Sequence, residues 1–206
     1  MSSSAPGGAV EIRSDHLVVA LPPAARQSIR FDPVLPEPAA AVGWRMGALT
    51  KVFAAYDEPF WRADGLSGET LSDSALASMT FDVSPAAGNT GVIVGFVGGA
   101  DARTYAALGA EQRRESVLEG FARLFGPKAL KPAGWIEREW SIQPWLGGGP
   151  VAFAPPRTLT EQGSGLVDPV GRIHWAGTET SPRWAGYIDG AIRSGERAAT
   201  EVAERL

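Results

Sequence analysis

There is no cysteine in these 206 residues. Disulfides, thiolate catalysis, cysteine-ligated metals and a thioether link to a cofactor are therefore excluded. Histidine is nearly absent too: His16 and His174 are the only two, 158 positions apart. Neither a histidine-based metal site nor a Ser-His triad is expected from so few. Lysine is confined to Lys51, Lys128 and Lys131. The net charge is −4, the pI is about 5.3, and the basic residues are scattered. Without a cationic stripe, a nucleic-acid partner is not expected. No run approaches the roughly 18 apolar residues of a membrane span. The first residues, "MSSSAPGGAVEIRSDH", lack a basic stretch followed by an apolar one. A signal peptide is not expected, and a cytoplasmic location is.

What remains is ordinary globular composition, 44% hydrophobic and 20% charged, in a chain long enough for one domain or two small ones. Ser2–Gly8 reads as a flexible start. Leu17–Leu21 is an apolar run closed by Pro22 and Pro23, as expected of a buried strand. Further strands are predicted around Leu49–Phe53, at Ser78–Val83, at "GVIVGFVGG" and at "AGWIEREW". In "AEQRRESVLEGFARLFG", Val117, Leu118, Phe121, Leu124 and Phe125 recur at helical spacing, and Gly126-Pro127 ends the run. "WLGGGPVAFAPPRTLT" reads as an irregular loop, of a length that is usually functional or mobile. Strands, a helix, more strand and a closing strand–turn–helix indicate an α/β or α+β protein.

The closing segment, "GRIHWAGTETSPRWAGYIDGAIRSGERAATEV", is the most informative. Ile173–Trp175 is a short strand and Tyr187–Arg205 a helix. Ile188, Ala191, Ile192, Gly195, Ala199 and Val202 make one apolar face of that helix. Gly190 and Gly195 inside it each cost roughly 1 kcal/mol relative to alanine, so another backbone or a ligand is expected to approach closely. The first N–H groups of the helix carry partial positive charge and suit an anion or an electron-rich ring edge. Glu179, in the turn after the strand, is placed to bond ribose hydroxyls or to turn its backbone to a phosphate. It is equally placed to be a solvated residue of a capping turn.

This segment resembles the C-terminal flavin-binding segment of the flavin-containing amine oxidases, the monoamine oxidase group, almost throughout. "VVALPPAARQSIRFDPVLP", "GALTKVFAAYDEPFWR", "VIVGFVGGADARTYAAL", "FGPKALKP" and "EWSIQPWLGGGP" follow in family order. The likeness runs from about Ala9 to the end and corresponds to the C-terminal portion of the family. It implies an α/β chain: an α+β substrate-binding domain with mixed sheet and helices at residues 31–145, flanked by parts of a Rossmann-like FAD-binding domain. Those parts are residues 1–30, with the flexible start, and the loop, strand and helix of 146–206. The family's G-x-G-x-x-G unit, which binds the dinucleotide pyrophosphate, is absent from these residues.

The resemblance also implies roles. Gly177, Thr178 and Glu179 would contact FAD, with Trp140 packing near the flavin. The helix start at Tyr187-Ile188 would face the flavin pyrimidine edge, and Tyr187 would be one wall of an aromatic cage around the substrate amine. Lys51 would hold a water at flavin N5 and assist reoxidation, while Gly95 and Phe96 would line the substrate cavity. From residue type alone, Lys51 is equally a strand lysine that snorkels to the surface, and Phe96 and Trp140 are equally core aromatics. Gly149 stands where many animal members carry the cysteine of a covalent flavin link, so FAD would be noncovalent. Pro150 replaces the second cage tyrosine, leaving Trp145 or Phe153 to complete the cage. Arg157 replaces the glycine of a usual "PPG". The implied function is oxidation of an amine to an imine, with oxygen reduced to hydrogen peroxide and little activity expected from this chain alone. The alternatives are a non-catalytic binding module of this fold, or a flavoprotein oxidase for polyamines or amino acids. A separate chain carrying the dinucleotide-binding half is the partner this implies.

Overall fold

The computed structural model describes residues 2–5 and 8–206. Pro6 and Gly7, in the start expected to be flexible, lie outside the described residues. On either side of them, β1 (Ser2–Ala5) pairs antiparallel with β2 (Gly8–Glu11). The chain forms two compact units, 1–45 with 151–206 and 46–150. The boundaries expected from the sequence are 31 and 146. Contacts place them at 46 and 151, because Leu35 and Ala39 are core residues of the flanking unit, packed with Val19 and Trp175.

In the flanking unit, β3 (Leu17–Val19) is shorter than the run that predicts it. It later pairs in parallel with the strand at Ile173–Trp175, Val18 opposite His174.

The middle unit is a five-stranded sheet with one long helix. Its strands are β4 (Leu49–Tyr56), β5 (Thr70–Leu71), β6 (Met79–Asp82), β7 (Gly91–Gly98) and, after α1 (Ala110–Phe125), β8 (Gly134–Glu139). The order is β5-β6-β7-β4-β8. Every pair is antiparallel where a mixed sheet is expected; the one parallel pair among the named strands is β3 with Ile173–Trp175. Alternation decides the faces. Val52, Ala54, Tyr56, Ile93 and Val97 are buried with Val117, Phe121 and Phe125 of α1. Burying a side chain such as Phe121 contributes about 1.5–3 kcal/mol. Trp61, fully buried, adds edge-on contacts to Tyr56 and Phe60. Gly126, at φ +91°, ends α1 ahead of Pro127.

Returning to the flanking unit, the segment expected to be irregular contains a short strand at Ala152–Phe153 and a helical turn at Thr158–Gln162. Then come β9 (Ile173–Trp175) and α2 (Ile188–Ala203). The face of α2 that packs is not the apolar one. Gly190, Ser194 and Ala198 are buried, whereas Ile188 is 81% and Ile192 57% exposed, and Ala191 and Ala199 are exposed too. Small side chains let the helix come close to the turn beneath it. Among the described residues, no helix is long and apolar enough to cross a membrane.

Candidate functional site

In the flanking unit, β9 runs into the turn Gly177–Thr180. Gly177 sits at φ +115°, a conformation open mainly to glycine. Its N–H donates to Ser194 Oγ at 3.0 Å, which ties the turn to α2. Thr180 Oγ1 donates back to the Gly177 carbonyl at 2.8 Å. Thr178 fixes the approach to the helix: its hydroxyl accepts the Gly186 N–H at 2.7 Å and donates to the Tyr187 carbonyl at 2.8 Å. Glu179 spends one carboxylate oxygen on the Ala152 N–H at 3.0 Å, so it braces the 151–153 segment as well as facing the turn.

Tyr187 is the N-cap of α2, and no side chain caps the helix. Ala191 N–H is the first to find an intrahelical partner, the Tyr187 carbonyl at 3.1 Å. The N–H groups of Ile188, Asp189 and Gly190 are therefore the donor set of this end. Asp189 pairs with Arg193 at 2.6 Å and does not cap. Tyr187 is 65% exposed, and its ring is edge-on to Trp184 at 5.9 Å. Trp184 is held at φ +57°, and its carbonyl accepts the Tyr187 N–H at 3.0 Å. The backbone that approaches Gly190 is that of Trp184: a Cβ on Gly190 would fall on its carbonyl oxygen. Gly195 has nothing within 4 Å of such a Cβ, so no neighbour in this structure requires its glycine.

A cavity of about 460 Å³ opens beside the turn. Trp44, Phe153, Pro155 and Leu159 make it apolar; Glu179 and Gly186 border it, with Arg157 the cation of its lining. Arg157 adopts φ +71° and pairs with Glu161. That left-handed backbone is one glycine adopts without the strain an arginine carries there.

In the middle unit, Lys51 stands opposite Phe96 on β7 and Arg138 on β8. Its ammonium lies 5.3 Å from the Phe96 ring, within the range of a cation–π contact. Register puts Phe53, Met79, Phe81 and Ile136 on the same sheet face, and the last three are exposed. Lys51 and Phe96 thus belong to an open apolar face. Gly95 does not share it. A Cβ there would meet Phe121, Ala77 and Val52 at 2.9–3.0 Å, so Gly95 faces the α1 core and clears room for Phe121. The expectation that it lines a cavity beside Phe96 fails on strand alternation.

Trp140 follows β8. Its backbone N–H donates to the Leu49 carbonyl at 3.2 Å, and its side chain lies 3.6–3.7 Å from where a Gly149 Cβ would stand. Gly149 N–H donates to the Gly47 carbonyl at 2.8 Å. Trp145 is largely exposed in this unit, as Phe153 is in the other.

Ser194, Trp184 and Trp44 escape a reading by motif. A period-four run of small residues, Gly190, Ser194 and Ala198, is the signal that marks the buried side of α2.

The model of the flavin containing amine oxidoreductase family matches residues 5–203. A protein of Mycobacterium tuberculosis named as a flavin-containing monoamine oxidase is 47% identical across 97% of this chain and 45% of its own length. An L-amino acid dehydrogenase of Synechocystis is 42% identical across 90% of this chain and 40% of its own. Among solved structures, cyclohexylamine oxidase from Brevibacterium oxydans superposes with a TM-score of 0.92 at 35% identity, over 100% of this chain and 46% of that one. The chain spans less than half the length of these relatives.

Proposed function

This chain belongs to the flavin-containing amine oxidoreductase family, and from that premise we infer that it supplies the flavin-ring and substrate side of an FAD-dependent amine oxidase. The observation that carries the reading is the Gly177–Thr180 turn leading into an uncapped helix, inside a family match from 5 to 203. FAD is the cofactor of the family, and the donor set fits it. The N–H groups of residues 188–190 have no side-chain cap and suit the electron-rich edge of a flavin ring.

Gly177, Thr178 and Glu179, with Tyr187, Ile188 and Trp140, are the residues assigned to hold the cofactor, noncovalently because Gly149 offers no thiol. When bound, FAD would supply the two-electron oxidant that takes an amine to an imine, with oxygen as the final acceptor giving hydrogen peroxide. The chain's own contribution is orientation and charge. The start of α2 favours negative charge placed at its end. Tyr187 presents an exposed ring as one wall for the amine. Lys51, on an apolar face beside Phe96, holds water and a positive charge for the oxygen half-reaction. That open face also suits the carbon skeleton of an amine.

Two features support a further polypeptide half, in cis or as a separate chain. No G-x-G-x-x-G occurs in these residues, and the apolar face of α2 is open. The half we assign there carries the pyrophosphate-binding turn and covers Ile188 and Ile192.

The test is to mix the purified chain with FAD, desalt it and read flavin absorbance, alone and with a dinucleotide-binding half from a relative. The expected result is little retained flavin alone, and retained flavin with amine-dependent peroxide when complemented. Stoichiometric flavin on the chain alone would remove the need for the second half. In the complemented protein, Lys51→Met should slow reoxidation by oxygen; an unchanged rate would take Lys51 out of that role.

A further inference from the structure

The two histidines, far apart in sequence, meet. His16 Nδ1 lies 3.0 Å from His174 Nε2, and His174 is 0% exposed. On its other side His174 Nδ1 lies 3.0 Å from Glu201 Oε2. Glu201 Oε1 accepts from Arg197 Nη1 at 2.6 Å. Arg197 Nη2 donates to the Trp175 carbonyl at 2.8 Å and to Thr180 Oγ1 at 3.0 Å. Thr180 in turn holds the Gly177 carbonyl. One hydrogen-bonded chain therefore runs from the segment before β3, through β9 and α2, to the Gly177–Thr180 turn.

We propose that Arg197 is the positioning residue of that turn and that the His16–His174–Glu201 bridge sets it in a proton-dependent way. The consequence for the cofactor rests on the functional reading above, in which this turn contacts FAD.

Glu201 is an acceptor, so His174 Nδ1 carries a proton. Burial pushes the Glu201 carboxyl up, but hydrogen bonds from His174 and Arg197 outweigh that and hold it below its usual range. Between His174 Nε2 and His16 Nδ1 there is room for one proton. The imidazole pair keeps this bridge when neutral and when it carries one extra proton. With two extra protons, two N–H groups face each other and the bridge opens. The surrounding charges are Glu201, Arg197 and Arg205 on or just after α2, Asp15 beside His16, Arg172 before β9, Glu179 in the turn, and the buried Arg26, 4.2 Å over the Trp175 ring and close enough to feel both Glu179 and Arg197. Arg205 is spent on the Gly171 carbonyl, and Arg172 reaches Asp15 at 3.9 Å. Glu201 is therefore the anion that answers protons on the pair, and it is the group that holds Arg197. The second proton opens the bridge and draws Glu201 toward His174 and away from Arg197, which loosens or redirects the arginine, and the turn moves with it.

The experiment is nitrogen–proton NMR of the full 206-residue chain between about pH 8 and pH 5, the window of imidazole titration. It follows the His16 and His174 ring protons and the Gly177 and Thr180 amides. The expected result is that both amides shift with the midpoint of the rings. His16→Asn, at a half-buried site, should abolish most of that response. Arg197→Lys should uncouple it, the rings titrating while the turn stays still. Turn amides that stay fixed while the wild-type rings titrate would overturn the proposal, as would an unchanged response in folded Arg197→Lys. In the complemented protein, FAD should bind about tenfold more weakly at the acid end, a change of about 1.4 kcal/mol, and Arg197→Lys should reduce that ratio to near one. If no FAD binds at any pH, the functional reading fails while the amide shifts still decide the positioning role.

Discussion

Glycine inside a helix is a cost, and α2 has two that the structure separates. At Gly195 a new Cβ meets nothing within 4 Å. Gly195→Ala should therefore recover the helix-propensity difference, about 0.8–1 kcal/mol. In a chain of this size, that raises Tm by about 2–4 °C. At Gly190 the same atom falls on the Trp184 carbonyl, with Thr178 Oγ1 at 2.9 Å. Making room disturbs the Tyr187 N–H bond to Trp184 and the two short Thr178 bonds, to Gly186 and to Tyr187. Three such bonds at about 1 kcal/mol each, less a helix gain of at most about 1 kcal/mol, leave Gly190→Ala destabilised by about 2 kcal/mol. Urea unfolding of the isolated chain, followed by circular dichroism, reads both numbers. Opposite signs are required. A loss at Gly195 would mean that something covers this face in the chain alone, and a neutral Gly190→Ala would mean that the turn does not bear on the helix. With the proposed second half bound, the advantage of Gly195→Ala should shrink or reverse, since the added methyl then meets a neighbour.

Arg157→Gly should stabilise the chain by about 0.5 kcal/mol. Release of a left-handed backbone contributes about 1 kcal/mol or more, and loss of the exposed pair with Glu161 takes back about 0.3–0.5 kcal/mol; a lower Tm would refute the strain. In the middle unit, Asp82 accepts from Trp61 Nε1, Arg62 and Ser84. Burial pushes its carboxyl up, but the hydrogen bonds from Arg62, Ser84 and Trp61 prevail and hold it well below the usual carboxylate range. A depressed carboxylate contributes stability above its unfolded value of about 3.9 and loses it as pH falls toward the folded one. Unfolding midpoints should thus fall below about pH 4, and Asp82→Asn should cost about 2 kcal/mol at neutral pH while flattening that acid limb. An unchanged acid limb in Asp82→Asn would show that another group controls it.

The parts legible in the sequence are those written in local pattern. "GVIVGFVG" is a strand because β-branched residues between glycines permit little else, and α1 declares itself by its spacing and its Gly-Pro end. The turn and helix that follow β9 are legible from residue type alone as a construction shaped for a ligand. What the pattern misassigned is the buried side of α2. A hydrophobic-face rule chooses Ile188 and Ile192, yet the helix packs through Gly190, Ser194 and Ala198 because close approach needs small side chains rather than large ones. Gly95 illustrates the same limit in a strand. Beside Phe96 in sequence, it lies on the opposite face, and only the register against β4 reveals that it yields space to Phe121. The His16–His174 bridge has no local signal at all. Sequence separation argues against their meeting, and only the parallel pairing of β3 with β9 brings the residue before one strand beside the middle of the other.

These features make α2 incomplete in two places, its side and its end. Its side leaves Ile188 and Ile192 in water, forgoing about 1.5–3 kcal/mol for each that a neighbour would cover. Its end leaves three N–H donors without a cap, which a ring edge or an anion would satisfy. Ile188 belongs to both. A protein half that orders the first turn from the side leaves less ordering to be done when the cofactor binds the end, and the reverse holds equally. Binding free energies linked through one element are reciprocal. If the second half raises FAD affinity tenfold, FAD must raise the affinity of the second half by the same factor. The closed binding cycle demands that equality whichever of the two ligands arrives first, and the shared helix turn supplies the coupling whose size it fixes.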